Sequence, residues 1–173
     1  MYRMKAILPE TVVILLVEDR ADDIELVRRG LLKAKVFNPL QVVSDGEEAL
    51  AYLDGLGKYA DRKLYPLPDI MLLDLKMPKM DGFEVLREVR NRPGLSPMRV
   101  LVLTSSEDIY EVNKAYALGA NSFLVKPHDF HDFTALMRTL SAFWLQANRM
   151  TGIKGLGATG TESASGQVTA SGS

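Results

Sequence analysis

The sequence has no cysteine. That excludes disulfides, thiolate metal centres and a cysteine nucleophile, and it fits a reducing compartment. It has no long apolar run either. The longest, Thr11 to Val17 and Ile70 to Leu73, fall far short of the roughly 20 residues a membrane span needs. Excess charge of one sign is also missing: the net charge is −1, so bulk charge points neither to nucleic acid nor to an anionic membrane. The first ten residues carry Arg3 and Lys5 but no long apolar h-region and no small-residue cleavage site, which argues against a signal peptide. The expectation is a cytoplasmic protein with no nucleic-acid or membrane partner.

The 173 residues, 47% hydrophobic and 25% charged, allow one ordinary domain with a real core and something left over. Short apolar runs recur at Val12–Val17, Leu40–Val43, Ile70–Leu73, Val100–Leu103 and Phe123–Val125. They do not alternate with polar residues, which suits strands buried on both faces. Between them lie residues at helical spacing: Ile24, Val27, Leu31 and Ala34; Val85, Leu86 and Val89; Val112, Ala115, Tyr116 and Gly119; and Phe130, Phe133, Met137, Leu140 and Trp144. Five strands alternating with five helices predict a parallel sheet covered on both faces, with right-handed crossovers. No internal repeat is visible. Gly55 to Pro68 reads as an exposed loop, with two Gly and two Pro. The segment 151–173 is mostly Gly, Ala, Ser and Thr and reads as a flexible tail. The expected organisation is an extension at 1–10, one domain at 11–150 and the tail at 151–173.

In an open parallel sheet, ligands bind outside the carboxyl ends of the strands. Glu18-Asp19 follow the first strand, Asp74 the third, Thr104-Ser105-Ser106 the fourth and Lys126-Pro127 the fifth. Each type alone has an ordinary explanation: a helix cap, a turn, a strand-end hydroxyl, a solvated lysine. Asp22 is better placed than Glu18 or Asp19 to cap the first helix. Together they form what an anionic phosphoryl and metal site requires. Clustered carboxylates repel, and a hard divalent cation relieves that. Mg²⁺ suits few carboxylates plus a phosphate. Lys126 and Thr104 would hold phosphoryl oxygens, and Asp74 would be the nucleophile.

These segments, LLVED at Leu15 to Asp19, LLDLKMPKMDG at Leu72 to Gly82, LTSS at Leu103 to Ser106 and LVKP at Leu124 to Pro127, resemble the receiver domains of two-component response regulators. The resemblance covers roughly Val12 to Leu145. It implies a flavodoxin-like doubly wound five-stranded sheet in the order 2-1-3-4-5, with helices on both faces. It implies Asp74 as phosphoacceptor and Mg²⁺ as cofactor. The metal would be held by Asp19 directly, by Glu18 through water, by Asp74 and by the backbone carbonyl of Lys76. Thr104 and Lys126 would sense the phosphoryl oxygens. Phe123 would be the switch aromatic, without the hydroxyl a tyrosine would bring there, and Lys126-Pro127 matches a bond usually cis in the family. Such a protein is a phosphoacceptor signalling protein and catalyses only its own phosphoryl transfer and dephosphorylation.

Gly57-Lys58-Tyr59 before Leu67-Pro68-Asp69, with Ala142-Phe143-Trp144-Leu145, is similar to stand-alone regulators partnered with phytochrome-type histidine kinases. This implies a sensor histidine kinase as partner. The apolar stripe of the last helix, widened by Leu136 and by Phe143 to Leu145, adds an expected homodimer through the fourth helix, fifth strand and fifth helix. A middle relay carrier or a phosphate sink is the alternative role. A flavodoxin-type cofactor protein is disfavoured, because the acidic loop Glu18 to Asp23 would repel a flavin phosphate. A haloacid-dehalogenase-type phosphatase, with its Asp-x-Asp pattern, is disfavoured because Asp74-Leu75-Lys76 has Lys at the third position. His128 and His131 make a weak metal pair, more plausibly two surface residues.

Overall fold

The computed structural model describes residues 12–147, with side chains described through Leu145. The expected extension at 1–10 and tail at 151–173 lie outside them. Five strands and five helices alternate: β1 (Ile14–Val17), α1 (Ala21–Lys33), β2 (Leu40–Val43), α2 (Gly46–Asp54), β3 (Ile70–Leu73), α3 (Gly82–Asn91), β4 (Arg99–Thr104), α4 (Ile109–Ala117), β5 (Ser122–Val125) and α5 (Phe130–Leu140). All pairings are parallel, in the order β2-β1-β3-β4-β5. That is the doubly wound, flavodoxin-like arrangement expected from the sequence.

The two central strands show why the apolar runs do not alternate. Every residue of β1 and β3 is buried, because both faces are covered. Leu15, Val17, Met71, Leu73, Val100 and Val102 pack with Ala49, Leu53, Val85, Leu86, Val89 and Ala115 of α2, α3 and α4. The alternate residues Ile14, Leu16, Ile70, Leu72, Leu101 and Leu103 pack with Val27 and Leu31 of α1 and Phe133, Met137 and Leu140 of α5. Alternation survives only as a division between two cores. On the second face α1 and α5 approach closely at Gly30, where an added Cβ would lie 2.6 Å from the Phe133 ring.

Two expectations need correction. Gly55 to Pro68 is not a plain exposed loop. It contains a 3-10 turn at Gly57–Ala60, and Tyr59 and Pro68 are buried. The rings of Tyr52, Tyr59 and Tyr65 pack edge-to-face or tilted at centroid distances of 4.9, 5.0 and 6.1 Å, each such pair contributing about 0.5–1.5 kcal/mol beyond area burial. Tyr52 donates its hydroxyl to the Pro66 carbonyl at 2.7 Å. Arg62 donates to the carbonyls of Tyr52 and Leu53, both at 2.8 Å, at the end of α2, where the Tyr52 carbonyl also accepts the Gly55 N–H at 3.2 Å.

Asp22 does not cap α1. Arg20 holds the cap position without a side-chain bond, and Asp22 and Asp23 lie in the first turn, where acids still complement the helix dipole.

The wide apolar stripe of the last helix is divided between core and solvent. After Leu140 the chain continues as a π-helical stretch, Ser141–Ala147. The wider winding turns Leu145 into the core at 5% exposure and lets Trp144 pack partly against it. Of Phe143, Trp144 and Leu145, only Phe143 stays largely in solvent.

Candidate functional site

The sheet register assembles the site. Val17 is level with Leu73, so Glu18 and Asp74 are the next residues of adjacent central strands. Their backbones continue the ladder: Asp74 N–H donates to Val17 O and Glu18 N–H to Val43 O, each at 3.1 Å. On the other side Thr104 is level with Val125, and Lys126 N–H donates to Thr104 O at 2.7 Å. Four separate strand ends thereby meet.

Glu18, Asp74, Thr104 and Lys126 are all buried polar residues, while Asp19 is exposed. Carboxylate oxygens of Glu18, Asp19 and Asp74 lie within 4.8 Å of one another. Three anions so close need a cation. Lys126 supplies one, donating to Glu18 Oε2 at 2.6 Å and to Asp23 Oδ2 at 3.3 Å. Asp74 Oδ1 accepts from the Leu75 N–H at 2.9 Å. A pocket of about 220 Å³ opens over Asp74. Arg20 and Lys76 line it as cations, and Thr104, Ser105 and Ser106 as hydroxyls.

The protonation balance follows from this crowding. Burial pushes the Asp74 carboxyl up from its usual value; the Lys126 charge and the N–H groups of Leu75 and Lys76 pull it back only in part, and Asp19 adds to the rise. Burial likewise raises Glu18 against the pull of Lys126. For Lys126, burial acts downward, but the Glu18 hydrogen bond and the charges of Asp74, Glu18 and Asp23 outweigh it and raise the ammonium pKa.

The β3–α3 segment is fixed by a glycine. A Cβ on Gly82 would lie 2.3 Å from the Asp74 carbonyl oxygen and 2.8 Å from Leu75 Cα. Gly82 N–H donates to Leu75 O at 3.0 Å, and Asp81 with Glu84 closes a capping box on α3. Lys76 faces the pocket from this segment, 3.8 Å from Glu111 of α4. Phe123 is half-buried against the first core, and its N–H donates to the Tyr116 hydroxyl of α4 at 3.1 Å.

The structure thus brings Glu18, Asp19, Asp74, Thr104 and Lys126 together, with Lys76 at the rim and Phe123 on the strand behind. No peptide bond among the described residues is cis, so Lys126-Pro127 takes the trans form that X–Pro bonds favour by about 0.5–1 kcal/mol. Asp23 was not anticipated. It sits in a helix, and its partner is 103 positions away. The only trace in the sequence is a third acid in the run from Glu18 to Asp23. His131 and His128 are exposed, and His131 pairs with Asp132 at 3.5 Å.

A doubly wound α/β domain with a carboxylate cluster, a buried lysine and a hydroxyl at one sheet edge defines a flavodoxin-like protein with an acidic strand-end pocket. The chain belongs to the response regulator receiver domain family, whose model matches residues 14–138. It is 37% identical over 134 residues to the response regulator Rcp1 of Synechocystis sp., covering 78% of this chain and 89% of that protein. Its fold superposes on the phosphorylated cyanobacterial phytochrome response regulator RcpA with a TM-score of 0.76 and 34% identity, over 82% of this chain and 99% of that one. The Mn²⁺-bound form of Rcp1 gives a TM-score of 0.73 at 35% identity, over 82% and 99%.

Proposed function

We propose that the chain is a phosphorylation switch in which Asp74 is the phosphoacceptor and Mg²⁺ the cation. The observation that carries this is Asp74 itself: a carboxylate at the central strand end, buried at the foot of a pocket, with cations and hydroxyls around the space where a phosphoryl group would stand. A carboxylate oxygen of Asp74 forms the new P–O bond as the donor's P–N bond breaks, leaving an acyl phosphate on Asp74 and, with a proton taken up from water by the departing ring, a neutral imidazole on a histidine donor. Thr104 donates a hydrogen bond and Lys126 a charge-assisted one to the transferred phosphoryl oxygens.

The donor set fits a hard divalent ion: three carboxylates in mutual reach and no nitrogen or sulfur ligand among them. Glu18, Asp19, Asp74 and the backbone carbonyl of Lys76 would hold it. When bound, Mg²⁺ supplies charge neutralisation for the phosphoryl oxygens. A sensor histidine kinase is the donor in this reading. The similarity to RcpA, a cyanobacterial phytochrome response regulator, supports a phytochrome-type kinase.

The output in this reading is a changed protein contact, and the chain's own role ends at gaining and losing the phosphoryl group. Thr104 and Phe123 carry the change from the pocket to the α4–β5–α5 face. Ile109, Tyr110, Tyr116 and Phe143 are the exposed apolar residues on those elements and the stretch after them. That supports a homodimer there. Residues 1–10 and 151–173 are extensions to the switch domain.

Incubation with phosphoramidate and Mg²⁺ tests the acceptor. Intact-mass analysis should show one phosphoryl group on the native chain and none on Asp74→Asn. Equal labelling of that variant would sink the assignment.

A further inference from the structure

One strongly basic surface has no part in the Asp74 pocket. It is a groove of about 620 Å³ between α1 and α5. Arg29 and Lys33 line it from α1, Lys35 from the turn that follows, and Arg138 from α5. Leu32, 64% exposed, and Phe130 give it an apolar wall. Elsewhere Lys58, Lys76, Lys79, Arg92 and Lys126 each face a carboxylate. Among the described residues none of the four groove cations has a carboxylate within 4.0 Å. Arg29 instead lies 5.0 Å over the Phe130 ring. Arg29 and Lys33 are moreover a like-charged pair one helical turn apart, an arrangement that weakens a helix by about 0.2–0.5 kcal/mol. The groove therefore combines an apolar strip with four cations that no carboxylate of the described residues neutralises, two of them, Lys33 and Arg138, in the last turns of α1 and α5.

We propose that this groove docks an acidic amphipathic helix of a partner protein. Two helices side by side leave a trough that a third can fill, with its apolar face on Leu32 and Phe130. The flexible stems of Lys33, Lys35, Arg29 and Arg138 reach glutamates flanking that face. A compact phosphate ligand fits less well, because it is usually cradled by free backbone amides. Lys33 and Lys35 lie at the C-terminal end of α1, and at the start of α5 the amides of His131 and Asp132 are already taken by Asp129. The 13 residues of α1 carry Lys33 roughly 20 Å from the helix start beside Asp19. The groove can thus be filled while Asp74 is phosphorylated, and it does not depend on the assignment of that site.

The test uses the full chain and an N-acetylated leucine–glutamate helical peptide of about 18 residues, long enough to be helical once bound. Calorimetric titration should show binding that weakens as salt is raised through about 0.1 M, where the Debye length is ~10 Å. Arg29→Glu with Arg138→Glu should weaken it by about tenfold or more, with the circular dichroism spectrum unchanged. Leu32→Ser should weaken it less. Absence of binding, equal binding by the charge-reversed variant, or equal binding of a leucine–lysine peptide would overturn the proposal. So would Arg-dependent binding of inorganic tripolyphosphate that displaces the peptide, which would make the groove a small-anion site. Concentration-dependent self-association lost on charge reversal would also overturn it, by making a second copy the occupant.

Discussion

Lys126 and Glu18 are 108 residues apart in sequence and form a 2.6 Å ion pair with both side chains buried. The Asp74 carboxylate beside them takes its hydrogen bond from the Leu75 backbone instead. Lys126 thus acts as the counter-ion of Glu18, one of the three clustered carboxylates. If the cluster holds a metal, as proposed, Lys126 competes with it and holds the cluster together without it.

Removing Lys126 leaves Glu18 buried without its partner, and breaking a buried pair in this way costs about 3–5 kcal/mol. Lys126→Ala should therefore unfold at lower temperature in EDTA. It should recover most of the loss in Mg²⁺, because the freed Glu18 becomes available to the ion. Its Mg²⁺ affinity should equal or exceed that of the native chain. Asp19→Ala should show the reverse, with little loss in EDTA and weakened Mg²⁺ binding. Thermal midpoints across a Mg²⁺ titration check both; retention of metal by Asp19→Ala and loss by Lys126→Ala would refute these roles.

Asp74→Asn should stabilise the metal-free protein. A carboxyl whose pKa is raised in the folded state contributes most below its unfolded value of 3.8 and loses that contribution as pH rises through the folded value. Asparagine has no charge to desolvate. At neutral pH in EDTA the variant should melt at a higher temperature than the native chain. The gain should vanish toward pH 3, where the native Asp74 is protonated in both states. A lower Tm for the variant at neutral pH would show that Asp74⁻ is favourably solvated in place.

Gly82→Ala places a methyl group 2.3 Å from the Asp74 carbonyl oxygen and against Leu75 Cα. These are backbone atoms, and no rotamer relieves the contact. The β3–α3 segment must shift, at a cost of about 1–3 kcal/mol, and it carries Asp74 with it. Both Tm and the rate of phosphoramidate labelling should fall. Normal labelling kinetics would mean that Asp74 is positioned from the strand side alone.

Which of these relationships could be read beforehand follows from what each depends on. Strand ends are local: an unbroken apolar run stops at a polar residue, and parallel order then puts every such stop on one edge. Glu18, Asp74, Thr104 and Lys126 were legible for that reason. The second helix was expected only because the alternation required one. Its residues Gly46–Asp54 show a weak apolar pattern, and its register is set by the Asp45 cap, which accepts from Glu48 N–H at 2.8 Å. Asp23 was not legible, because its role comes from where α1 lies over the sheet. The Gly55 to Pro68 segment misled because glycine and proline mark turns without saying whether tyrosines between them are buried.

That segment gives the last prediction. Burial pushes the Tyr52 hydroxyl up to about 12, with nearby Tyr59 and Tyr65 adding to the rise and Arg62 opposing it. The folded value exceeds the unfolded value of 10.0, so the contribution of neutral Tyr52 is complete below pH 10 and is lost as pH climbs toward 12. Ionisation would also remove the proton it donates to Pro66 O and place an anion inside the tyrosine cluster. Spectrophotometric titration of phenolate absorbance should therefore show a late component, coincident with loss of tertiary structure, that is smaller by one phenol in Tyr52→Phe, the buried Tyr59 hydroxyl, also raised, remaining. The variant loses one hydrogen bond, about 1 kcal/mol, at neutral pH. Its stability should also fall less steeply between pH 10 and 12. A native chain whose phenols all titrate near 10 with the fold intact would show that the Gly55 to Pro68 segment opens readily, and that Tyr52 is not locked beneath it.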